Sequence, residues 1–302
     1  MSMRIPARAA AATLAACTLA VLGLSAPAAH ASPRAAGPSA RAPLAYVAMG
    51  DSYSAGSGIL PLDPAASPLC VRSTANYPHV LAARAGLALT DVTCGGAQTG
   101  DFAGSQYPGV APQADALGTG TGTGLVTMTI GGNDGNTFVD AVLACGSAGI
   151  ATLGFGHPCR SLYGSTFTDQ VDTGTYQAVK SALANVRAKA PNARVAVLGY
   201  PWIVPAAAVP GCFAKLPIAS GDVPYLRDLQ THLNAAVKRA ATETGATYVD
   251  VSGVSEGHDA CRPIGTRWIE PVLFGSNFVP VHPNALGEAG LAQRTAAVLG
   301  LG

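Results

Sequence analysis

Five short apolar runs constrain this chain more than any other feature. Residues 44–49, 87–93, 125–130, 195–199 and 246–251 each read as a β-strand, and most close on a glycine or a polar turn. The stretches between them read as helices over 76–87, 134–144, 176–190 and 222–244, and a last helix covers 285–299. Val179, Leu183 and Val186 show the helical spacing most clearly. Strand and helix in alternation imply β-α-β units, hence a parallel sheet covered on both faces. Right-handed crossovers then make a three-layer α/β/α sandwich of flavodoxin-like type around a five-stranded sheet. No internal repeat or boundary interrupts residues 44–302, so a single domain is expected. Residues 110–117 read as a short helix, 118–124 as a glycine–threonine connector, and 145–172, 200–221 and 252–281 as loops.

In sheets of this kind, sites form beyond the carboxyl ends of the strands. Ser52, in Gly50-Asp51-Ser52-Tyr53-Ser54, follows the first strand. A serine at such a turn exposes its hydroxyl and leaves its own N–H unpaired, which suits a nucleophile whose oxyanion needs backbone donors. Gly95-Gly96 follows the second strand, Asn133 the third, and His282 precedes the last helix. Taken singly, these are a turn, a helix cap and a surface histidine. Together they supply a nucleophile, a base and two donors. His79, in a helix, and His157 and His258, beside cysteines, read as structural. His258 with Asp259 is too small a set to ligate a metal.

The first 31 residues have the form of an export signal. Arg4 and Arg8 precede an apolar core from residue 9 to 24, and Ala29-His30-Ala31 gives an A-x-A cleavage site. The core is too short and alanine-rich to read as a membrane anchor. Cys17 follows a lipoprotein-like box, but the apolar run continues past it, which disfavours cutting there. Residues 32–43, rich in Pro, Ala, Arg and Ser, read as a disordered lead-in. Loss of the signal removes Cys17 and leaves Cys70, Cys94, Cys145, Cys159, Cys212 and Cys261. An even number in an exported chain argues for disulfides, each stabilising by about 3–4 kcal/mol. Six cysteines allow 15 pairings, of which consecutive pairing is the simplest. A net charge of +1, with only 12% charged residues, provides no basic patch for nucleic acid or an anionic membrane. The substrate is therefore not expected to be a polyanion.

Gly50-Asp51-Ser52, Gly96, Gly131-Gly132-Asn133-Asp134 and His282-Pro283-Asn284 occur in the order of the four blocks of the SGNH (GDSL-type) hydrolases. The chain resembles that family over essentially all of its mature length. Its cysteine pattern is similar to that of secreted Streptomyces-type lipases and esterases. The resemblance implies bridges Cys70–Cys94, Cys145–Cys159 and Cys212–Cys261. It implies Ser52 as nucleophile, His282 as general base, and an oxyanion hole of Ser52 N–H, Gly96 N–H and the Asn133 amide, with Gly95 as a substitute for Gly96. It implies no cofactor and no metal. The family's usual aspartate three residues before the histidine is here Val279, whose side chain accepts no hydrogen bond. Nδ1–H of His282 still needs an acceptor. A backbone carbonyl, of Val279 or Pro280, is expected, and the rivals are Asp259, Glu256 and Glu270.

The loops at 200–218 (Trp202, Ile203, Val204, Phe213) and 268–281 (Trp268, Ile269, Val272, Phe274) are apolar. They suit a fatty acyl chain if they border the site, or merely cover the sheet. The resemblance implies a secreted, monomeric triacylglycerol lipase or broad carboxylesterase acting through a Ser-His dyad. Phospholipase A1 and carbohydrate acetylesterase are the enzymatic alternatives. A secreted binding module is the non-enzymatic one, disfavoured because binding needs no Ser52, Asn133 and His282 together.

Overall fold

The computed structural model describes residues 42–118 and 122–301. The export signal at 1–31, all but the last two residues of the lead-in, and residues 119–121 of the glycine–threonine run lie outside them. Strands β1 (Ala45–Ala48), β2 (Ala88–Asp91), β3 (Leu125–Met128), β4 (Arg194–Leu198) and β5 (Thr247–Val249) form one sheet. Their order is β2-β1-β3-β4-β5, and every pairing is parallel. The helices are α1 (Ser52–Ala55), α2 (Tyr77–Ala85), α3 (Thr137–Ala151), α4 (Pro158–Tyr163), α5 (Thr166–Gln170), α6 (Tyr176–Lys189), α7 (Val223–Thr244), α8 (Ser252–Ser255) and α9 (Ala285–Leu299).

Strand residues alternate between the two faces of the sheet. Val47, Val126, Met128 and Val197 meet Leu183 of α6 and Leu229 of α7 in one buried cluster. Tyr46, Ala48, Ala196 and Leu198 share the other with Leu81 of α2 and Leu291 of α9. Each large side chain so removed from water contributes about 1.5–3 kcal/mol. The three-layer sandwich follows. β2 lies to one side of β1 and the remaining strands to the other, so the connections diverge between β1 and β3 and open a crevice at their carboxyl ends.

Two segments differ from their sequence reading. Residues 145–172, expected as a loop, are mostly helical: α3 runs on to Ala151, and α4 and α5 follow. Glycines 146, 149, 154 and 156 weaken the helical signal there. Gly149 has a tertiary reason, because a Cβ would sit 2.3 Å from Pro217 O, where α3 presses on the following loop. The sulfurs of Cys145 and Cys159 are joined, tying α3 to α4. The helix expected at 110–117 is only a 3-10 turn, Gln113–Ala116. Its buried Gln113 is spent on the turn before Ser52, accepting from Gly50 N–H at 2.6 Å and donating to Gly50 O at 3.1 Å.

Candidate active site

The turn after β1 has to enter α1 at once, and Gly50 makes that possible. Its φ is +114°, and a Cβ there would lie 2.3 Å from Thr129 O. Asp51 then caps α1, its side chain accepting Tyr53 N–H at 3.0 Å. Ser52 is the first residue of that helix, and among the described residues nothing accepts its N–H. The buried Asp51 carboxylate also accepts from Thr129 Oγ1 at 2.7 Å and from the Tyr200 hydroxyl. Burial pushes its pKa up to about 6 against those hydrogen bonds. Tyr200 OH in turn accepts Gly132 N–H at 2.9 Å. One hydroxyl therefore ties the end of β1 to the end of β3. Tyr200 itself is set by α7: Asn234 accepts its N–H at 2.7 Å, and Asn234 and Gln230 donate to its carbonyl.

The other predicted donors lie on neighbouring turns. Gly95 N–H is spent on Cys70 O at 2.8 Å, beside the joined Cys70 and Cys94, whereas no hydrogen bond among the described residues engages Gly96 N–H. Asn133 Nδ2 donates to Ala97 O at 3.1 Å through one of its two N–H groups. Asp134 accepts from Thr99 Oγ1 at 2.5 Å and from Thr99 N–H, so the β3 turn is fastened to the β2 turn.

His282 approaches from the loop before α9. Its Nε2 lies 2.7 Å from Ser52 Oγ, and its Nδ1 lies 2.7 Å from Pro280 O. A carbonyl only accepts, so Nδ1 carries the proton and Nε2 is left to take one from Ser52. Burial pulls the imidazole pKa below its ordinary value, partly offset by the Pro280 hydrogen bond, so the ring is a neutral base at neutral pH. Of the two carbonyls expected from sequence, Pro280 is the one in reach. Val279 does not reach Nδ1; it packs on Gly58 instead. Val281, between Pro280 and His282, adopts φ +59°, an uncommon conformation for a β-branched residue. Tyr53 OH donates to Val281 O at 2.7 Å, and Val281 N–H donates to Glu270 O at 2.9 Å, which hold that conformation.

The three rival carboxylates are all engaged elsewhere. Asp259 takes Arg262 and Cys261 N–H, and Glu256 takes Arg227. Glu270 accepts from Arg267 at 2.6 Å, Ser276 N–H at 2.7 Å and Asn284 Nδ2 at 2.8 Å. Burial opposes its charge, but these donors outweigh burial and hold its pKa below the usual value. Asn284 also caps α9, accepting Leu286 and Gly287 N–H, so the clamp, the cap and His282 form one unit. The three histidines set aside from the sequence are engaged: His79 with Asn76, His157 with Ser161, and His258 stacked on Trp268. Cys212 and Cys261 are joined, completing consecutive pairing.

A pocket of about 290 Å³ opens beside Ser52 and His282. From the apolar loops Tyr200, Ile203, Val272, Pro280 and Val281 enter its wall; Trp202 lies against Arg227, with the guanidinium 3.4 Å over its ring. A second apolar wall comes from α3, through Phe138, Val139, Val142 and Leu143. That wall was not foreseen, although the 138/142 and 139/143 spacing of apolar residues was its signal. No Lys or Arg lines the pocket.

The model of a family described as GDSL-like lipase/acylhydrolase matches residues 48–289. Lipase 2 of Streptomyces coelicolor is 67% identical over 258 residues, covering 85% of this chain and 86% of that protein. Among solved structures, phospholipase A1 from Streptomyces albidoflavus superposes with a TM-score of 0.69 at 28% identity, covering 85% of this chain and 99% of that one. The extracellular lipase from Streptomyces rimosus gives 0.67 at 28% identity, covering 84% and 99%. With sequence and fold agreeing over nearly the whole described length, the chain belongs to the GDSL-like lipase/acylhydrolase family and is a carboxylic ester hydrolase.

Proposed function

We propose that the protein is an exported lipase cleaving fatty acyl esters of uncharged lipids, triacylglycerols above all, through a Ser52–His282 dyad. The observation that carries this reading is the Ser52 Oγ–His282 Nε2–Pro280 O alignment at the mouth of an apolar pocket. Nε2 of His282 takes the Ser52 proton as Oγ attacks the ester carbonyl. Negative charge then develops on the former carbonyl oxygen. The unspent N–H groups of Ser52 and Gly96 and the second amide N–H of Asn133 stabilise it. The imidazolium, steadied at Nδ1 by Pro280 O, protonates the leaving alcohol. Water then attacks the acyl-enzyme, giving a proton to Nε2, and as the acyl–Oγ bond breaks to release the acid that proton returns to Ser52 Oγ. The named likenesses to lipases support the acyl class, and export by residues 1–31 fits the extracellular relative.

The likeness to a phospholipase A1 makes the phospholipid ester a second reading. The absence of any Lys or Arg around the pocket favours an uncharged ester over one beside a phosphate. A series of p-nitrophenyl esters of increasing chain length, followed by triolein and phosphatidylcholine, tests both. Long-chain esters and triolein are expected to be turned over best. A maximum at acetate with no long-chain activity overturns the lipase reading, and a preference for phosphatidylcholine overturns the choice between lipids. Labelling of Ser52 by an organophosphonate tests the nucleophile itself.

A further inference from the structure

Water-facing apolar side chains gather at the mouth of the acyl pocket. Val139 and Leu143 line the pocket from α3 yet are 44% and 63% exposed, and Val272 opposite is 39% exposed. The apolar surface continues outward from both sides. Ile150, also exposed, is seven residues beyond Leu143 and so lies on the same face of α3. Leu273 and Phe274 follow Val272, and Phe274 is 77% exposed. Single exposed apolar residues are ordinary, but a run continuous with a binding pocket marks an interaction surface.

Phe274 is held out rather than left loose. Its φ of +62° is a conformation that a bulky residue keeps only where its surroundings impose it. The buried Arg267 donates to Phe274 O at 3.2 Å, and its ion-pair partner Glu270 accepts Ser276 N–H, gripping the loop at and just beyond the ring. Leu273 N–H is fixed to Lys215 O at 2.9 Å. Charge then narrows the partner. Residues 271–281 carry no charged side chain, and α3 carries only the exposed Asp140. Arg267 is spent on Glu270, and Lys215 donates to Cys261 O. Among the described residues, 271–281 and α3 offer no cation to an anionic headgroup.

We infer that Val139, Leu143, Ile150, Leu273 and Phe274 dock the protein on aggregates of uncharged ester lipid, with the acyl pocket opening inside the footprint. The inference rests on the lipase reading above. Binding is read on the full chain carrying Ser52→Ala, so that hydrolysis does not alter the surface, by flotation with triolein droplets and with phosphatidylserine-containing vesicles. Droplets are expected to take up the protein in preference to the vesicles. Phe274→Ser alone is expected to weaken flotation roughly tenfold, and with Ile150→Ser and Leu273→Ser roughly hundredfold or more, since each buried large side chain is worth about tenfold. None of the three lines the pocket, so in the active chain the triple variant keeps its kcat/KM on dissolved p-nitrophenyl butyrate while losing at least roughly tenfold on triolein emulsion. Unchanged flotation, preference for the anionic vesicles, or equal loss on the dissolved ester overturns the inference. So does a dimer in sedimentation that the three substitutions dissolve. A parent chain that hydrolyses dissolved esters but not triolein, while its Ser52→Ala form still floats, sinks the triacylglycerol reading and leaves the docking surface standing.

Discussion

The two halves of the proposed dyad are held in opposite ways. Ser52 stands at the end of a central strand, where Asp51, Thr129, Tyr200 and Gly132 share hydrogen bonds among the ends of β1, β3 and β4. His282 stands on a loop whose nearest regular pairing is the single bridge Ile269–Pro283. Its place depends on one buried ion pair, one helix cap and a left-handed valine. The sheet makes the nucleophile's position a by-product of folding. The base has to be fastened separately, so it is the half that a few substitutions can dislodge.

The largest expected effect removes the difference by deleting one half altogether. His282→Ala should lower turnover by about 10⁴-fold or more while thermal unfolding changes little. The amide variants of Asp259 and Glu256, measured alongside, should stay near the parent. A comparable loss from either would mean that a carboxylate, not Pro280 O, orients the ring.

Glu270→Gln attacks the fastening. It leaves Arg267 buried without a charge partner, which costs about 3–5 kcal/mol, readable by urea unfolding. Hydrogen exchange should rise across residues 268–284 and stay slow at 50–55; uniform loss would show that the two halves are not held independently. On the nucleophile side, Asn133→Ala should cost about 10²–10³ in kcat with KM little changed, as expected for a donor used only on the oxyanion. Tyr200→Phe deletes the hydroxyl between Asp51 and Gly132 and should cost about 1.5–3 kcal/mol, with exchange rising at 50–55 and 131–134 but not at 268–284.

The smallest effect concerns pH, where the two halves should respond with opposite sign. Burial raises Asp51 to about 6, so its contribution to stability is full below its ordinary value and is lost as pH rises through about 6. Glu270 is lowered, so its contribution is present above the ordinary carboxylate value and is lost on acidification. Acid should therefore loosen 268–284 relative to 50–55, as followed by exchange from pH 7 down to below the ordinary carboxylate value. Activity should rise with pH as His282 loses its proton, at a midpoint below that of a free imidazole.

Much of the nucleophile side was legible in advance because its signals are local. A strand ending at Gly50, a cap at Asp51 and a serine at the helix start need only their neighbours, and the alternation of strand and helix foretold the layers. The places of Asn133 and Gly96 at strand ends were legible for the same reason; their role as oxyanion donors was implied only by the family resemblance and stays a proposal. Gly96 rather than Gly95 emerged only when Gly95 N–H was found engaged by Cys70, a residue brought there from 25 positions earlier.

What only the tertiary structure decided lies in contacts between distant segments that leave no periodic trace. Tyr200 reaches Asp51 across 149 residues, and Tyr53 holds Val281 across 228. The sequence by itself determined that the side chain at position 279 could not orient His282, because valine has no acceptor, and it left two backbone carbonyls and three carboxylates open. It did not determine which acceptor, because that depends on how the whole loop before α9 is held, including a left-handed Val281 that a β-branched residue adopts only when the surrounding fold compels it. Likewise α3 was readable as a helix, but its service as the acyl wall depends on where the whole helix lands against the mouth of the sheet.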